Sequence, residues 1–134
     1  MSSVKEIDLK AIREKDGSIV IAEAMKEVPF LIKRIFCISD VPEGEVRGEH
    51  ASKSTDFFYI CLRGSLKIET DDGREKKTYK FDSSDKGLFL PKKTWMKIYD
   101  FSSDAILLTL ASEAYCADDY YENYDVFITE KNLL

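Results

Sequence analysis

Histidine is almost missing from this sequence: His50 is the only one among 134 residues, beside three cysteines, three prolines and six glycines. A single imidazole with no soft ligand nearby is inadequate for zinc or iron, so no metal is expected. The cysteines, Cys37, Cys61 and Cys116, are an odd number without C-x-x-C spacing. That excludes a disulfide framework and reads as reduced, mostly buried thiols. No apolar stretch approaches the roughly 18 residues of a membrane span, and the opening M-S-S-V-K-E-I-D-L-K lacks the apolar core of a signal peptide. Together these absences predict a cytoplasmic protein with no membrane partner. Long basic runs are absent too, none exceeding pairs such as Lys76-Lys77 and Lys92-Lys93, and the net charge is −5. Unaided binding to nucleic acid is therefore not expected, and an anionic ligand would need its charge met locally.

What is present is ordinary for a globular chain, 44% hydrophobic and 34% charged. The length predicts one domain over residues 1–134, large enough to bury a core without covalent staples. Short apolar runs recur between turn signals. I-V-I-A-E-A (19–24) follows K-D-G-S, and F-L-I-K-R-I-F-C-I-S (30–39) follows Pro29 and ends at D-V-P-E-G-E. F-F-Y-I-C-L (57–62) and S-L-K-I-E-T (65–70) flank Arg63-Gly64, which signals a tight hairpin, and T-D-D-G-R-E (70–75) signals a second one. Further strands are expected near 77–82, 87–91, 94–100 and 104–111. Eight or so short strands rich in β-branched and aromatic residues predict an all-β, antiparallel sandwich or barrel. The tail differs: Tyr120, Tyr124, Phe127 and Ile128 recur at helical spacing, with Asp118 or Asp119 placed to cap a short C-terminal helix.

The stretch R-G-E-H-A-S-K-S-T-D (47–56) holds the lone histidine. A glycine, a histidine two residues on, an acidic residue six further, then strand and glycine form the skeleton of a cupin-type motif. A metal-binding cupin wants His-x-His, a carboxylate and a further histidine. Here Ser52 fills the second position and Asp56 fits the carboxylate poorly. If His50 and Ser52 alternate along a strand, they share one face, which in a barrel is the lumen. A histidine there can serve as a general base near neutral pH; otherwise it is a surface residue or a satisfied core residue.

Several stretches in order resemble the dTDP-sugar 3,4-ketoisomerases, small WxcM-like cupins related in fold to the RmlC-like ones. They are V-P-F-L-I-K-R-I-F-C-I (28–38), R-G-E-H-A-S-K (47–53), Y-I-C-L-R-G-S-L-K-I (59–68), G-L-F-L-P-K-K-T-W (87–95), Y-D-F-S-S-D-A-I-L-L-T-L-A-S (99–112) and D-D-Y-Y-E-N-Y-D-V-F (118–127). The resemblance implies a cupin-type jelly-roll homodimer that often exchanges N-terminal strands and uses no cofactor. It implies conversion of dTDP-4-keto-6-deoxyglucose into a 3-keto-6-deoxyhexose for deoxyamino sugars of surface glycans such as lipopolysaccharide O-antigen. By the same resemblance His50 is the base and Arg34 a stabiliser of the enediolate or the phosphates. Arg47 and Lys53 are suited to the pyrophosphate, and Tyr59 and Trp95 to stacking on sugar or base.

The chain departs from the family pattern in four places, one of them a pair. Ser52 replaces a second histidine and is expected to relay protons as a hydroxyl that both donates and accepts. Asp16 stands where an arginine often sits, Asp56-Phe57 replaces a Glu-Gln pair, and Met96 replaces a polar lumen residue. Loss of one acid–base group typically costs about 10²- to 10⁴-fold in rate. Two other readings use the same barrel. One is a non-catalytic or regulatory cupin that binds a nucleotide-sugar. The other is a 4-keto-sugar epimerase, with Tyr99 or Tyr115 as its acid.

Overall fold

In the computed structural model, residues 3–133 are described, and twelve strands and one α-helix account for most of them, with a single 3-10 turn at Ala117–Asp119. In chain order the strands are β1 (Lys5–Asp8), β2 (Lys10–Glu14), β3 (Gly17–Ile21), β4 (Arg34–Ser39), β5 (Arg47–Ser52) and β6 (Phe57–Arg63). They continue as β7 (Leu66–Asp71), β8 (Lys76–Phe81), β9 (Lys86–Leu90), β10 (Trp95–Tyr99), β11 (Ile106–Ala111) and β12 (Tyr120–Tyr121), before α1 (Tyr124–Leu133). Two five-stranded antiparallel sheets, ordered β1-β9-β6-β11-β4 and β12-β5-β10-β7-β8, face one another as a jelly roll, and β2-β3 form a separate hairpin. The all-β cupin-type barrel with a short terminal helix is the architecture expected from the sequence.

Side-chain alternation builds the interior. Arg34, Phe36 and Ile38 of β4, Met96 and Ile98 of β10, and Leu107, Thr109 and Ala111 of β11 point inward, while their neighbours in sequence point out. Strand β6 reads as an unbroken apolar run because both its faces are covered. Phe57, Tyr59 and Cys61 enter the lumen, whereas Phe58 and Ile60 enter a second cluster with Leu9, Val28, Phe30, Phe89 and Leu110. The N-terminal segment thus covers the outer face of the first sheet. Each fully buried Leu, Ile or Phe contributes roughly 1.5–3 kcal/mol, so the two clusters together supply most of the drive to fold.

Several local expectations are corrected. Arg63-Gly64 is a crossover, because β6 and β7 lie in different sheets. The chain turns there because the Ser102 amide donates to the Ser65 carbonyl and the Ser65 amide to Ser102 Oγ, and a side chain at residue 64 would sit 2.2 Å from that Oγ. The Asp-Gly signal does close the β7–β8 hairpin, where Asp72 Oδ1 accepts from the Arg74 and Glu75 amides. Residues 30–33 are not strand; Val28 and Phe30 are buried in irregular backbone instead. Strands β1 and β2 carry too few apolar residues to announce themselves. The helix begins later than its stripe: Asn123, not Asp118 or Asp119, caps it by accepting from the Val126 amide at 3.1 Å. Of the three cysteines only Cys61 is buried, while Cys37 and Cys116 are exposed.

Candidate active site

Between the two sheets lies a cavity of about 550 Å³, walled by Phe36, Ile38, Phe57, Tyr59, Met96 and Ile98, with His50 and Tyr120 on one side and Arg47 at the rim. Its position follows from a β-bulge. Strand β5 pairs with β10 at His50↔Met96, then slips by one residue so that Lys97 faces Gly48. Gly48 (φ 87°) and Glu49 (φ 62°) both adopt left-handed backbone at that slip. A bulge bends its strand and re-aims the next side chain, and here the next side chain is His50. Glycine is favoured there: the backbone is left-handed, and a Cβ at position 48 would lie 2.5 Å from Met96 Sδ, so the Met96 side chain would have to shift.

His50 is half-buried, and its Nδ1 has no hydrogen-bond partner among the described residues. Burial lowers its pKa below the ordinary 6.5, with the Glu122 carboxylate and the residue's own backbone pulling the other way. The imidazole is thus neutral at physiological pH and able to take a proton. Its ring meets Tyr120 edge-on, centroids 4.9 Å apart. Strand β12 brings Tyr120 there by pairing with β5 at Tyr120↔Ser52. Behind this pair, Arg34 Nη2 donates to the Tyr120 hydroxyl at 3.3 Å. Its guanidinium lies 5.5–5.8 Å from the ring centroids of Phe36, Phe57 and Tyr115. Among the described residues it has no carboxylate partner, and its Nε is buried without one. A cation with no carboxylate to neutralise it leaves positive potential in the region, which favours an anionic group there. Tyr59 forms the floor, 2% exposed, and burial pushes its phenol far above the usual range.

Of the residues singled out from the sequence, His50, Arg47, Tyr59 and Met96 line this cavity, and Arg34 stands directly behind Tyr120. The others lie elsewhere. Ser52 is buried, does not line the cavity, and donates its hydroxyl to the Thr55 carbonyl. The Asp56 carboxylate accepts from the Lys92 amide at 2.8 Å, holding a loop. Lys53 Nζ sits over the Tyr121 ring. Trp95 packs on Tyr124 and Phe127 across the outer face of β10, and Asp16 is at the exposed tip of the β2–β3 hairpin. Tyr99 also lies outside the cavity, with Lys97 Nζ 5.3 Å from its ring. The residue that the sequence misplaced is Tyr120, read as part of a helical stripe. The only signal that could have found it is the polar D-D before Y-Y, which breaks the stripe and ties the segment to the barrel. Asp119 accepts from Ser54 N, Ser54 Oγ and Thr55 Oγ1 at 2.9, 2.5 and 2.5 Å. Among the described residues no cluster of three or more His, Cys, Asp or Glu side chains is placed to hold a metal ion.

Comparison with known proteins places this geometry. The family model described as "WxcM-like, C-terminal" matches residues 2–132. A TDP-4-oxo-6-deoxy-alpha-D-glucose-3,4-oxoisomerase of Aneurinibacillus thermoaerophilus is 38% identical over 132 residues, 96% of this chain and 95% of the relative. The crystal structure of QdtA, a sugar 3,4-ketoisomerase from Thermoanaerobacterium thermosaccharolyticum in complex with TDP, superposes with a TM-score of 0.93 at 35% identity, covering 97% of this chain and 95% of that one. A variant of the same enzyme in complex with TDP-4-keto-6-deoxyglucose gives 0.94 at 34% identity, covering 99% and 96%. With a match that spans nearly the whole chain in both sequence and fold, this protein belongs to the FdtA, WxcM-like family of TDP-sugar 3,4-ketoisomerases.

Proposed function

We propose that this protein is a dTDP-4-keto-6-deoxyglucose 3,4-ketoisomerase that works by base-catalysed tautomerisation through an enediol. The observation that carries the reading is the neutral His50 imidazole, half-buried against the cavity of about 550 Å³, in a chain 38% identical to a 3,4-oxoisomerase. Hydrogens beside a ketone are weakly acidic, so His50 removes the proton from C3 and the C3–H electrons form a C3=C4 double bond. The negative charge collects on O4. Imidazolium then returns the proton to C4 as O4 gains a proton, O3 loses its hydroxyl proton, and O3 becomes the carbonyl. The buried, protonated Tyr59 phenol on the floor and the Arg34 guanidinium, which meets no carboxylate among the described residues, supply a preorganised polar environment for that charge. Exposed Arg47 at the rim is placed for the diphosphate by charge and by its forked geometry. The relatives' activity favours this over a non-catalytic nucleotide-sugar module or a 4-keto-sugar epimerase.

The proposal extends to a cytoplasmic homodimer serving deoxyamino-sugar synthesis for surface glycans. In its support, the first sheet leaves Ile35 and Leu62 uncovered, 62% and 48% exposed, on its outer face near β4. Among the described residues hairpin β2–β3 pairs with no other strand, and it exposes Ile12 and Ile19, which suits exchange between subunits. The test of activity is incubation with dTDP-4-keto-6-deoxyglucose in D₂O, followed by NMR. Deuterium at C4 with the carbonyl at C3 is expected. Exchange at C3 or C5 with the ketone still at C4 would establish epimerisation instead, and TDP-sugar binding without exchange would establish the binding module.

A further inference from the structure

Ketoisomerisation moves two hydrogens, one between carbons and one between oxygens. His50 accounts for the first. The second requires a group that protonates O4 and then deprotonates O3, and the sequence assigned it to Ser52. That hydroxyl does not line the cavity and gives its proton to Thr55. Tyr59 reaches the cavity, but burial raises its phenol pKa and so disfavours the phenolate through which a proton relay would pass. Tyr120 differs on each count. It lines the cavity, stands edge-on to His50 at 4.9 Å, and its oxygen accepts from the Arg34 guanidinium at 3.3 Å. Its oxygen lone pair is thus engaged by a fixed cation while its O–H remains free to donate. Facing it from the other elements are Tyr59 of β6 and Tyr115, whose ring centroid is 6.3 Å away.

We infer that Tyr120 is the catalytic acid–base partner of His50, carrying the proton from O3 to O4 while Arg34 positions its hydroxyl and stabilises the phenolate. The inference rests on the ketoisomerase reading. His50 takes the C3 proton as Tyr120 donates its phenolic proton to O4, leaving a neutral enediol between an imidazolium and a phenolate. The phenolate then removes the O3 proton as the imidazolium protonates C4. Substrate hydrogens are redistributed, both side chains return to their starting forms, and no redox partner enters. Both carbon transfers use the one imidazole and so occur on one face of the ring.

The test compares the wild-type chain with Tyr120→Phe, which keeps the ring against His50 and removes only the hydroxyl. With dTDP-4-keto-6-deoxyglucose as substrate, kcat is expected to fall about 10²- to 10⁴-fold, with KM and calorimetric TDP affinity essentially unchanged. Activity within a few-fold of wild type overturns the assignment, as does a loss of kcat accompanied by an equal loss of TDP affinity, which marks a structural residue. A second measurement is independent of any folding defect: 3,5-difluorotyrosine at position 120 is expected to move the alkaline limb of the kcat profile to lower pH, and an unmoved limb overturns the proposal. A wild-type chain that binds TDP but converts nothing removes the ketoisomerase reading itself, an outcome distinct from either variant result.

Discussion

The buried Ser52 hydroxyl donates to the Thr55 carbonyl three residues along, closing the turn that ends β5. The position that in the family pattern carries a second imidazole therefore fastens the backbone here. Ser52→Ala leaves that carbonyl without its partner and is expected to cost about 1–3 kcal/mol in denaturant unfolding. Turnover should change far less than the 10²-fold or more expected for loss of an acid–base group. A kinetic collapse at unchanged stability would restore Ser52 to the chemistry.

His50→Asn is expected to abolish deuterium incorporation while leaving TDP binding intact. The wild-type pH profile follows from the direction of the His50 shift. Its folded pKa lies below the ordinary 6.5 because burial disfavours the imidazolium. The acidic limb of kcat/KM should therefore fall below pH 6.5. Stability has the matching sign: as pH drops through 6.5 the unfolded chain takes up a proton that the folded chain refuses. Folding free energy should decline from about that pH down to the folded pKa, and His50→Asn should flatten this slope in pH-dependent melts.

Gly48→Ala tests the bulge. The new methyl meets Met96 Sδ at 2.5 Å with φ held at +87°, a combination of strain and overpacking that costs about 1–3 kcal/mol. Because the bulge aims His50, kcat should also fall, toward the roughly 10²-fold that a misplacement of about 1 Å exacts. Thermal melts and steady-state kinetics on the same sample separate the two effects.

Asp119→Ala removes three hydrogen bonds that tie the segment before β12 to Ser54 and Thr55. One partner, Thr55, is fully buried, so the expected cost is about 1.5–3 kcal/mol, the range for bonds to a charged group. The neighbouring Tyr120 loses its register against Ser52, and kcat should drop well before the protein unfolds. Hydrogen exchange at the amides of 118–122 should quicken in the variant, whereas unchanged protection there would detach the tail from the site.

Much of the barrel was legible in sequence because strand periodicity is local. Each of β3, β4 and β6 to β11 overlaps an apolar run, and the Asp-Gly turn lies where its dipeptide demands. Strands β1, β2 and β12 were not legible. K-E-I-D and K-A-I-R-E are mostly polar and are strand because of the partners they pair with, Asp8 meeting Lys86 across β1–β9, and Y-Y is strand only because β5 offers it an edge. Trp95 shows the same limit for the site: an aromatic beside a motif looks like a ligand platform until the pleat turns it to the outer face, against Phe127.

The sequence by itself determined the alternation that makes a two-faced β6 and a filled lumen, the family, and the identity of the one imidazole available as base. Tertiary structure decided its company. Arg34 and Tyr120, 86 residues apart, meet through β12 pairing and barrel closure, and Ser52 turns to its own loop. Local pattern encodes which face a side chain takes. Register between distant strands, and the bulge at Gly48 that shifts it, encode which side chains then stand together.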